Sequence, residues 1–163
     1  MSLSFTTSKL PKIWKTAKIT PIFKKGDKFS ADNYRPISLL PVASKIAEKI
    51  ISDKIISFLL SNKVIPDTQH GFLPGRSTLT SLLETLNAWT KSMDSNIPLD
   101  VIFLDFSKAF DRVPFNRLLH KAEYFGIRGK LLLWLQDFLH NRSFTVRVGD
   151  FLAPPRGVSR GVP

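Results

Sequence analysis

Two aspartates in the stretch VIFLDFSKAFDRVPF (residues 101–115) have the residue type and the setting for metal chemistry. Asp105 directly follows four apolar residues, and Asp111 lies six positions further on. A short apolar run without alternation is typical of a central strand covered on both faces. A carboxylate at the end of such a strand loses hydration unless a partner compensates for it, and divalent metal ions are common partners of hard oxygen ligands. The stretch therefore predicts a buried strand over 101–104 with a metal-binding carboxylate at its end.

A second interpretation of Asp105 is open at this point. Aspartate is common as a helix cap and as a turn former, and spacing alone does not distinguish that role from catalysis. An Asp-x-Asp nucleophile of the hydrolase or phosphatase type is disfavoured, because position 107 is serine. Asp111 lies beyond the predicted strand end, so its even spacing from Asp105 does not establish a shared face.

The composition points to a polyanionic partner. The chain has 163 residues, 43% of them hydrophobic, which is enough for one domain with a core. Twenty-four Lys and Arg residues against thirteen Asp and Glu residues give a net charge of +11. Nucleic acid and an anionic membrane surface are the partners that this favours, and a solvated basic surface without a partner is the alternative. With no cysteine and three dispersed histidines, disulfides and thiolate zinc sites are excluded.

The sequence shows no recognisable targeting signal or membrane anchor. Its first fifteen residues lack an apolar core of signal-peptide length, and no apolar run approaches the length of a membrane span. We expect an intracellular protein of the nucleus or cytoplasm that is not secreted.

Hydrophobic spacing predicts helices and strands in mixed order, an α+β or α/β layer around a sheet. Pro41 and Pro114 suit helix starts, and Ser77 or Thr78 suits a helix cap. The glycine- and proline-containing segment 69–78 is predicted to be a loop. The predicted strands lie within 17–28, at 101–104 and at 143–148, and the predicted helices cover 42–60, 78–93, 114–126 and 130–138.

Several segments together resemble one family. FLDFSKAFDRV (residues 103–113) lies within the opening stretch and is similar to the first palm motif of reverse transcriptases of non-LTR (LINE-like) retrotransposons. WKTAKITPIFKKGD, NYRPISLLPVASKIAEKII and QHGFLPGRST resemble the finger motifs of that family, in the same order. RGVSRGVP, residues 156–163, resembles the opening of the second palm motif. The resemblance covers residues 14–163.

The resemblance implies an α+β chain with a partial right-hand polymerase fold. Residues 1–95 would form the fingers, and residues 96–163 would begin a palm that stops in its second motif. The implied activity is that of an RNA-directed DNA polymerase working by two-metal nucleotidyl transfer with Mg²⁺. RNA template, DNA primer and deoxynucleoside triphosphates would be the partners, with no membrane.

The resemblance also implies a role for individual residues. Asp105 would be the first catalytic carboxylate and a ligand of both metals, and the backbone carbonyl of Phe106 would complete the metal shell. Phe110 would lie under the sugar of the incoming deoxynucleotide and exclude a 2′-hydroxyl; a core aromatic is the alternative. Asp111 would be structural rather than catalytic.

Three basic residues would contact phosphate. Lys24 and Arg35 would reach the triphosphate from the fingers, which suits a point charge and a bidentate fork on phosphate oxygens. Arg76 would contact template or nucleotide phosphate, and a solvated loop arginine is the alternative.

The chain departs from the family pattern in one respect. Relatives carry an aromatic-x-Asp-Asp strand, and the present sequence contains no adjacent Asp-Asp pair. With one of three expected carboxylates, we expect a fragment that is inactive alone. A non-catalytic nucleic-acid-binding remnant of a degraded element is the alternative function.

Overall fold

A computed structural model describes residues 2–161, so that Val162 and Pro163 of the 156–163 motif lie outside the described residues. The chain divides into two compact units. The first is made of Met1–Ser52 and Lys108–Pro163, and the second of Asp53–Ser107.

The first unit contains a five-stranded sheet with the order β2-β1-β3-β4, in which β5 also pairs with β3. The central pair β1 and β3 is parallel, with Thr16 opposite Ser143, whereas β1 and β2 form an antiparallel hairpin. The strands are β1 (Thr16–Phe23), β2 (Tyr34–Leu39), β3 (Ser143–Val148), β4 (Phe151–Leu152) and β5 (Arg156–Gly157). The strands predicted within 17–28 and at 143–148 are therefore confirmed.

Strand β2 was missed by the sequence analysis. Its sequence YRPISL has a proline in the middle, which is unfavourable within a sheet because proline cannot donate a backbone hydrogen bond. The fold tolerates Pro36 because β2 lies at the edge of the sheet, where one side of the strand needs no partner.

The prediction of a buried strand at 101–104 is wrong. Residues 97–106 form neither helix nor strand, and Ile102, Phe103 and Leu104 are 81%, 82% and 86% exposed. A strand requires a neighbour that accepts and donates backbone hydrogen bonds. Among the described residues, no strand pairs with 101–104. The apolar run signals strand propensity but does not supply a partner.

Five α-helices complete the described residues, and the four predicted ones are confirmed. Single-turn 3₁₀ helices lie at Lys12–Lys15, Ala31–Asn33 and Phe110–Arg112. The mixture of helices with a sheet confirms the α+β class. Among the described helices, none combines the length and the apolar character needed to cross a membrane. The helices are α1 (Ser2–Thr7), α2 (Val42–Ser61), α3 (Thr78–Asp94), α4 (Phe115–Tyr124) and α5 (Gly129–Leu139).

Helix α3 of the second unit begins with a capping box. The Ser77 hydroxyl accepts a hydrogen bond from the Thr80 backbone N–H at 3.2 Å, and the Thr80 hydroxyl accepts one from the Ser77 N–H at 2.9 Å. Two backbone donors that have no partner within the helix are satisfied in this way. Of the two predicted caps, Ser77 is the residue used.

Helix α5 packs against the N-terminal segment in the core of the first unit. The buried Trp134 indole donates from Nε1 to Ser4 Oγ at 3.1 Å and stacks on Phe138 with ring centroids 5.4 Å apart. Asp137 accepts a hydrogen bond from the Leu10 N–H at 2.7 Å and pairs with Lys15 Nζ at 2.9 Å. Burial favours a higher pKa for Asp137, but these partners outweigh it and hold the pKa below 3.8.

The first prediction concerns Asp137. At pH 7 we expect Asp137→Asn to lower the free energy of unfolding by about 1.5–3 kcal/mol, because a hydrogen-bonded charge is lost. The pKa of Asp137 is lowered in the folded state, so this contribution is fully present above the unfolded-state pKa near 4. It is lost as the pH falls through the lower folded-state pKa. Urea denaturation at a series of pH values measures the difference from the wild type.

Asp150→Asn is the matched control. The Asp150 side chain is fully exposed and lies 3.9 Å from Arg147, so its loss should leave the stability nearly unchanged, because water screens the pair. Equal losses in the two variants at pH 7, or a difference for Asp137→Asn that persists at low pH, would contradict the role of Asp137.

Candidate functional site

Asp105 lies in an exposed segment of the second unit. The residue is exposed, and the neighbouring Phe106 is 82% exposed. The expectation that burial forces a metal onto Asp105 is therefore wrong, because a carboxylate in contact with water needs no compensation. The metal role itself, which rested on the family resemblance, stays a prediction.

The donors at Asp105 fit a magnesium ion in type but not in number. A carboxylate and the Phe106 carbonyl are the hard oxygens that Mg²⁺ prefers, and the ion takes six of them in an octahedron. Across residues 2–161, no group of three or more His, Asp and Glu side chains is placed to hold a metal ion. These residues can contribute to a metal site but do not make one alone.

Lys24 and Arg35 of the first unit are brought together by the β1–β2 hairpin. Arg35 lies directly opposite Ile22, and the Lys24 N–H extends the pairing by donating to the Asn33 carbonyl at 2.8 Å. Because side chains alternate along a strand, Lys24 and Ile22 share a face with Arg35, and Lys24 is the diagonal neighbour of Arg35. Both basic side chains are exposed. Two cations at one end of one sheet face can bind neighbouring phosphates.

The loop that closes this hairpin is held by its own polar groups. Asn33 donates from Nδ2 to the Asp27 carbonyl at 2.8 Å, and Tyr34 donates from its hydroxyl to the Lys28 carbonyl at 2.9 Å. Gly26 adopts a φ of +91°, which the predicted turn requires. The backbone around Lys24 is therefore ordered by contacts within the loop.

Arg76 of the second unit binds its own loop. Its Nη1 donates to the Asp67 carbonyl and, at 2.8 Å, to the Gln69 carbonyl, and its Nη2 lies 3.1 Å from Asp67 Oδ1. The alternative of a merely solvated arginine does not describe these contacts. Arg76 fastens residues 67–76 in front of α3, and contact with template stays a prediction.

His70 is a polar link in the same unit that the sequence analysis did not identify. Its Nδ1 lies 2.8 Å from Thr80 Oγ1, and its Nε2 lies 3.1 Å from Glu84 Oε2. The link ties the predicted loop to the first turns of α3. No spacing rule connects residues ten and fourteen positions apart, so the sequence carried no signal for it.

The first and second palm-like motifs meet in the first unit. The Gly161 N–H donates to the Val113 carbonyl at 3.0 Å, beside the Phe110–Arg112 turn. Gly161 has a φ of +87°, and a Cβ placed on it would lie 2.9 Å from the Asp111 carbonyl oxygen. Phe110 in this turn is 57% exposed, so the alternative of a buried core aromatic does not hold. Two motifs that the sequence analysis named separately thus share one contact.

Arg142 was not singled out by the sequence analysis, yet among the described residues it is the one charged side chain that is buried, at 3% exposure. Its Nη1 donates to the Phe138 carbonyl at the end of α5 at 3.1 Å. The sequence signal that was available is a basic residue just after a helix end, where cations often bind the last carbonyls.

Comparison with known proteins places these features in a family context. The model of the family described as "Reverse transcriptase (RNA-dependent DNA polymerase)" matches residues 22–163. A probable RNA-directed DNA polymerase from transposon BS of Drosophila melanogaster is 34% identical over 160 residues, covering 94% of this chain. The RNA-directed DNA polymerase from mobile element jockey of the same organism is 35% identical over 154 residues, again 94% of this chain. An uncharacterized 149 kDa protein of transposon TX1 from Xenopus laevis is 28% identical over 98% of this chain and 12% of its own length. The chain spans 17% of the length of each of the two Drosophila relatives.

The second prediction concerns the Gly161 contact. Gly161→Ala and Gly149→Ala both place alanine at a positive φ, but nothing lies within 4 Å of a Cβ on Gly149. Both variants share the left-handed strain of about 1–2 kcal/mol. Only Gly161→Ala should add an overpacking loss of about 1–3 kcal/mol, because it presses on the Asp111 carbonyl. Urea denaturation compares them, and equal losses would show that the contact has no energetic role.

Proposed function

The chain belongs to the reverse transcriptase (RNA-dependent DNA polymerase) family. On that premise, we propose that it supplies the nucleotide-binding part of an RNA-directed DNA polymerase of a non-LTR (LINE-like) retrotransposon. The observation that carries the proposal is the family match over residues 22–163, within which Lys24 and Arg35 are diagonal neighbours on the β1–β2 hairpin. RNA template, DNA primer and deoxynucleoside triphosphates are the proposed partners. The net charge of +11 suits a polyanion bound through its backbone.

We propose that residues 1–95 belong to the fingers and residues 96–163 begin the palm of a right-hand polymerase. The β1–β2 hairpin with its paired cations is in keeping with a finger element that approaches phosphate from one side. The Gly161 contact with the Phe110–Arg112 turn is in keeping with two palm motifs that support each other.

We propose that Lys24 and Arg35 bind the triphosphate of the incoming nucleotide. The lysine ammonium is a compact charge on a flexible stem, whereas the arginine guanidinium presents a planar fork to phosphate oxygens. Their diagonal relation on one hairpin face suits contacts to successive phosphates of one nucleotide. Because the loop between them is held by Asn33 and Tyr34, little ordering is required when the ligand binds.

We propose that Asp105 is a catalytic carboxylate and that its side chain and the Phe106 carbonyl hold Mg²⁺. When bound, such an ion stabilises the charge that develops during nucleotidyl transfer. Asp105 supplies a negative charge on a segment without helix or strand, and further carboxylates are required beside it. Phe110 would exclude a 2′-hydroxyl, and Arg76 would contact template phosphate in addition to fastening its loop.

The runner-up is a non-catalytic nucleic-acid-binding role. Two features favour it: the net charge of +11, and the presence in this sequence of Asp105 alone among the three carboxylates that the resemblance leads one to expect. Binding of a primer-template that falls steeply with salt, without any dependence of activity on Asp105, is what this alternative expects.

The third prediction tests Asp105 in a chimera. This chain would replace the matched segment of the jockey polymerase, and extension of a DNA primer on an RNA template would be measured. We expect Asp105→Asn to lower the rate at least about a hundredfold with primer-template binding unchanged, because a catalytic constellation acts as a unit. The 163-residue chain alone should not extend a primer, since two-metal transfer requires several carboxylates.

Asp111→Asn in the same chimera is the control, because it removes an equivalent charge six positions away and should lower the rate far less. Full activity of the Asp105→Asn chimera, or primer extension by the 163-residue chain alone, would refute the proposed role of Asp105. A chimera that binds primer-template but is inactive with Asp105 intact would favour the runner-up.

The fourth prediction concerns sugar selection. In the active chimera, Phe110→Val should keep most of the deoxynucleotide rate and admit ribonucleotides, because the ring that would meet the 2′-hydroxyl is removed. The measured quantity is the ratio of kcat/KM for the two nucleotide classes. A ratio that stays at the wild-type value would show that Phe110 does not face the sugar. Phe103→Val is the control for loss of an exposed ring close by, since Phe103 is 82% exposed and has no proposed contact with the nucleotide.

A further inference from the structure

A groove of about 410 Å³ lies in the first unit against one face of the β1–β3 sheet. Ala17 of β1 and Phe144 of β3 form part of its apolar wall, and the charged residues that line it are Arg142, Arg160 and Asp111. This volume is within the usual range of small-ligand sites. Two guanidinium groups against one carboxylate leave the lining with an excess of one positive charge.

Arg142 has a hydrogen-bond donor without a partner. Its Nη1 is used by the Phe138 carbonyl, and its Cζ lies 4.7 Å from the centroid of the Phe138 ring. Its Nη2 is buried and forms no hydrogen bond. Buried polar groups are nearly always paired, because an unpaired one loses its hydration without compensation. The unfilled donor marks a place where an acceptor would be stabilising.

The carboxylate that acts on Arg142 through space, Glu48, does not accept a hydrogen bond from Arg142 Nη2. Burial lowers the pKa of Arg142, and the Glu48 carboxylate acts in the opposite direction through space. Glu48, however, accepts a hydrogen bond from the Ser44 hydroxyl at 2.6 Å and forms none with Arg142. A buried cation is therefore left with partial compensation from within the chain.

We propose that this groove binds a phosphate group between Arg142 and Arg160. A planar carboxylate pairs best with both nitrogens of one guanidinium, and here Nη1 of Arg142 is already used. A tetrahedral phosphate presents oxygens in several directions and suits single contacts from two different arginines. Asp111 in the lining opposes the anion and sets an upper limit on the affinity.

The site differs from the proposed triphosphate contacts of Lys24 and Arg35. Ile19 and Ser38 lie directly opposite each other in the register and both line the groove. Arg35 lies opposite Ile22, three residues after Ile19 on β1, so the alternation of side chains directs Arg35 to the opposite face of the sheet. The groove therefore goes beyond the proposed polymerase role. A failure to bind phosphate here would leave the primer-extension test of Asp105 untouched.

The experiment is a titration of the 163-residue chain with inorganic phosphate, against sodium chloride of equal ionic strength. We expect saturable binding that shifts the side-chain N–H signals of Arg142 in the NMR spectrum, assigned with Arg142→Lys. Arg160→Gln should weaken binding about fivefold or more, because one charge-assisted hydrogen bond is lost. Asp111→Asn should strengthen it, because the opposing charge is removed.

Arg156→Gln is the matched control, since Arg156 carries the same charge in the same segment and does not line the groove. Equal weakening by Arg156→Gln and Arg160→Gln, or no phosphate effect beyond that of chloride, would refute the proposal. Both outcomes would assign any binding to the general basic excess of the chain.

A phosphate group can come from a small free anion or from a nucleic-acid strand, and a second arm separates these sources. A short single-stranded oligonucleotide is titrated into the wild type and into Arg160→Gln, with and without inorganic phosphate. Competition by phosphate that disappears in Arg160→Gln would assign the groove to a strand phosphate. If Arg160→Gln weakens the binding of inorganic phosphate but leaves the binding of the oligonucleotide unchanged, the groove would be assigned to a free anion.

Discussion

The pairing of β1 with two strands at once is the constraint on which the first unit depends. Strand β1 pairs with β2 from the adjacent hairpin and with β3 from more than 120 residues later in the chain. The parallel pairing with β3 requires a long connection, because parallel neighbours cannot be joined by a tight turn. It brings the basic N-terminal segment next to Arg142 and the second palm-like motif. The paired cations of the hairpin and the groove on the opposite face both follow from it.

Two charged side chains of the first unit, the half-buried Asp137 and the buried Arg142, differ in how far their charges are compensated. Asp137 has a backbone donor and a lysine within hydrogen-bond distance, and its pKa is lowered as a result. Arg142 has one acceptor and an aromatic face, and one nitrogen without a partner. Partners within the fold offset the cost of removing a charge from water, whereas a charge without them is retained at that cost. This contrast is the physical reason for regarding Asp137 as structural and Arg142 as part of a binding site.

Exposure of the segment before Asp105 bears on its chemistry. Four apolar side chains and Phe106 are exposed to solvent there. A carboxylate in water attracts a divalent cation weakly, because the dielectric screens the charge and water competes as a ligand. The activity proposed for Asp105 thus depends on neighbours that exclude water and add negative charge. The phosphate contacts proposed for Lys24 and Arg35 do not depend on such neighbours, because charge-assisted hydrogen bonds can bind phosphate at exposed sites.

The sequence by itself determined the local elements and the family. Helix α2, the Ser77 cap of α3 and strand β3 follow from periodicity and capping chemistry that act within a few residues, and the ordered motifs fixed the family. Tertiary structure decided what depends on partners distant in sequence. It made an edge strand of a segment with a central proline, and it left residues 101–104 unpaired despite their apolar run. It also brought Gly161 against Asp111 and buried Arg142, since hydrogen-bond pairing and close packing depend on which segments meet in space.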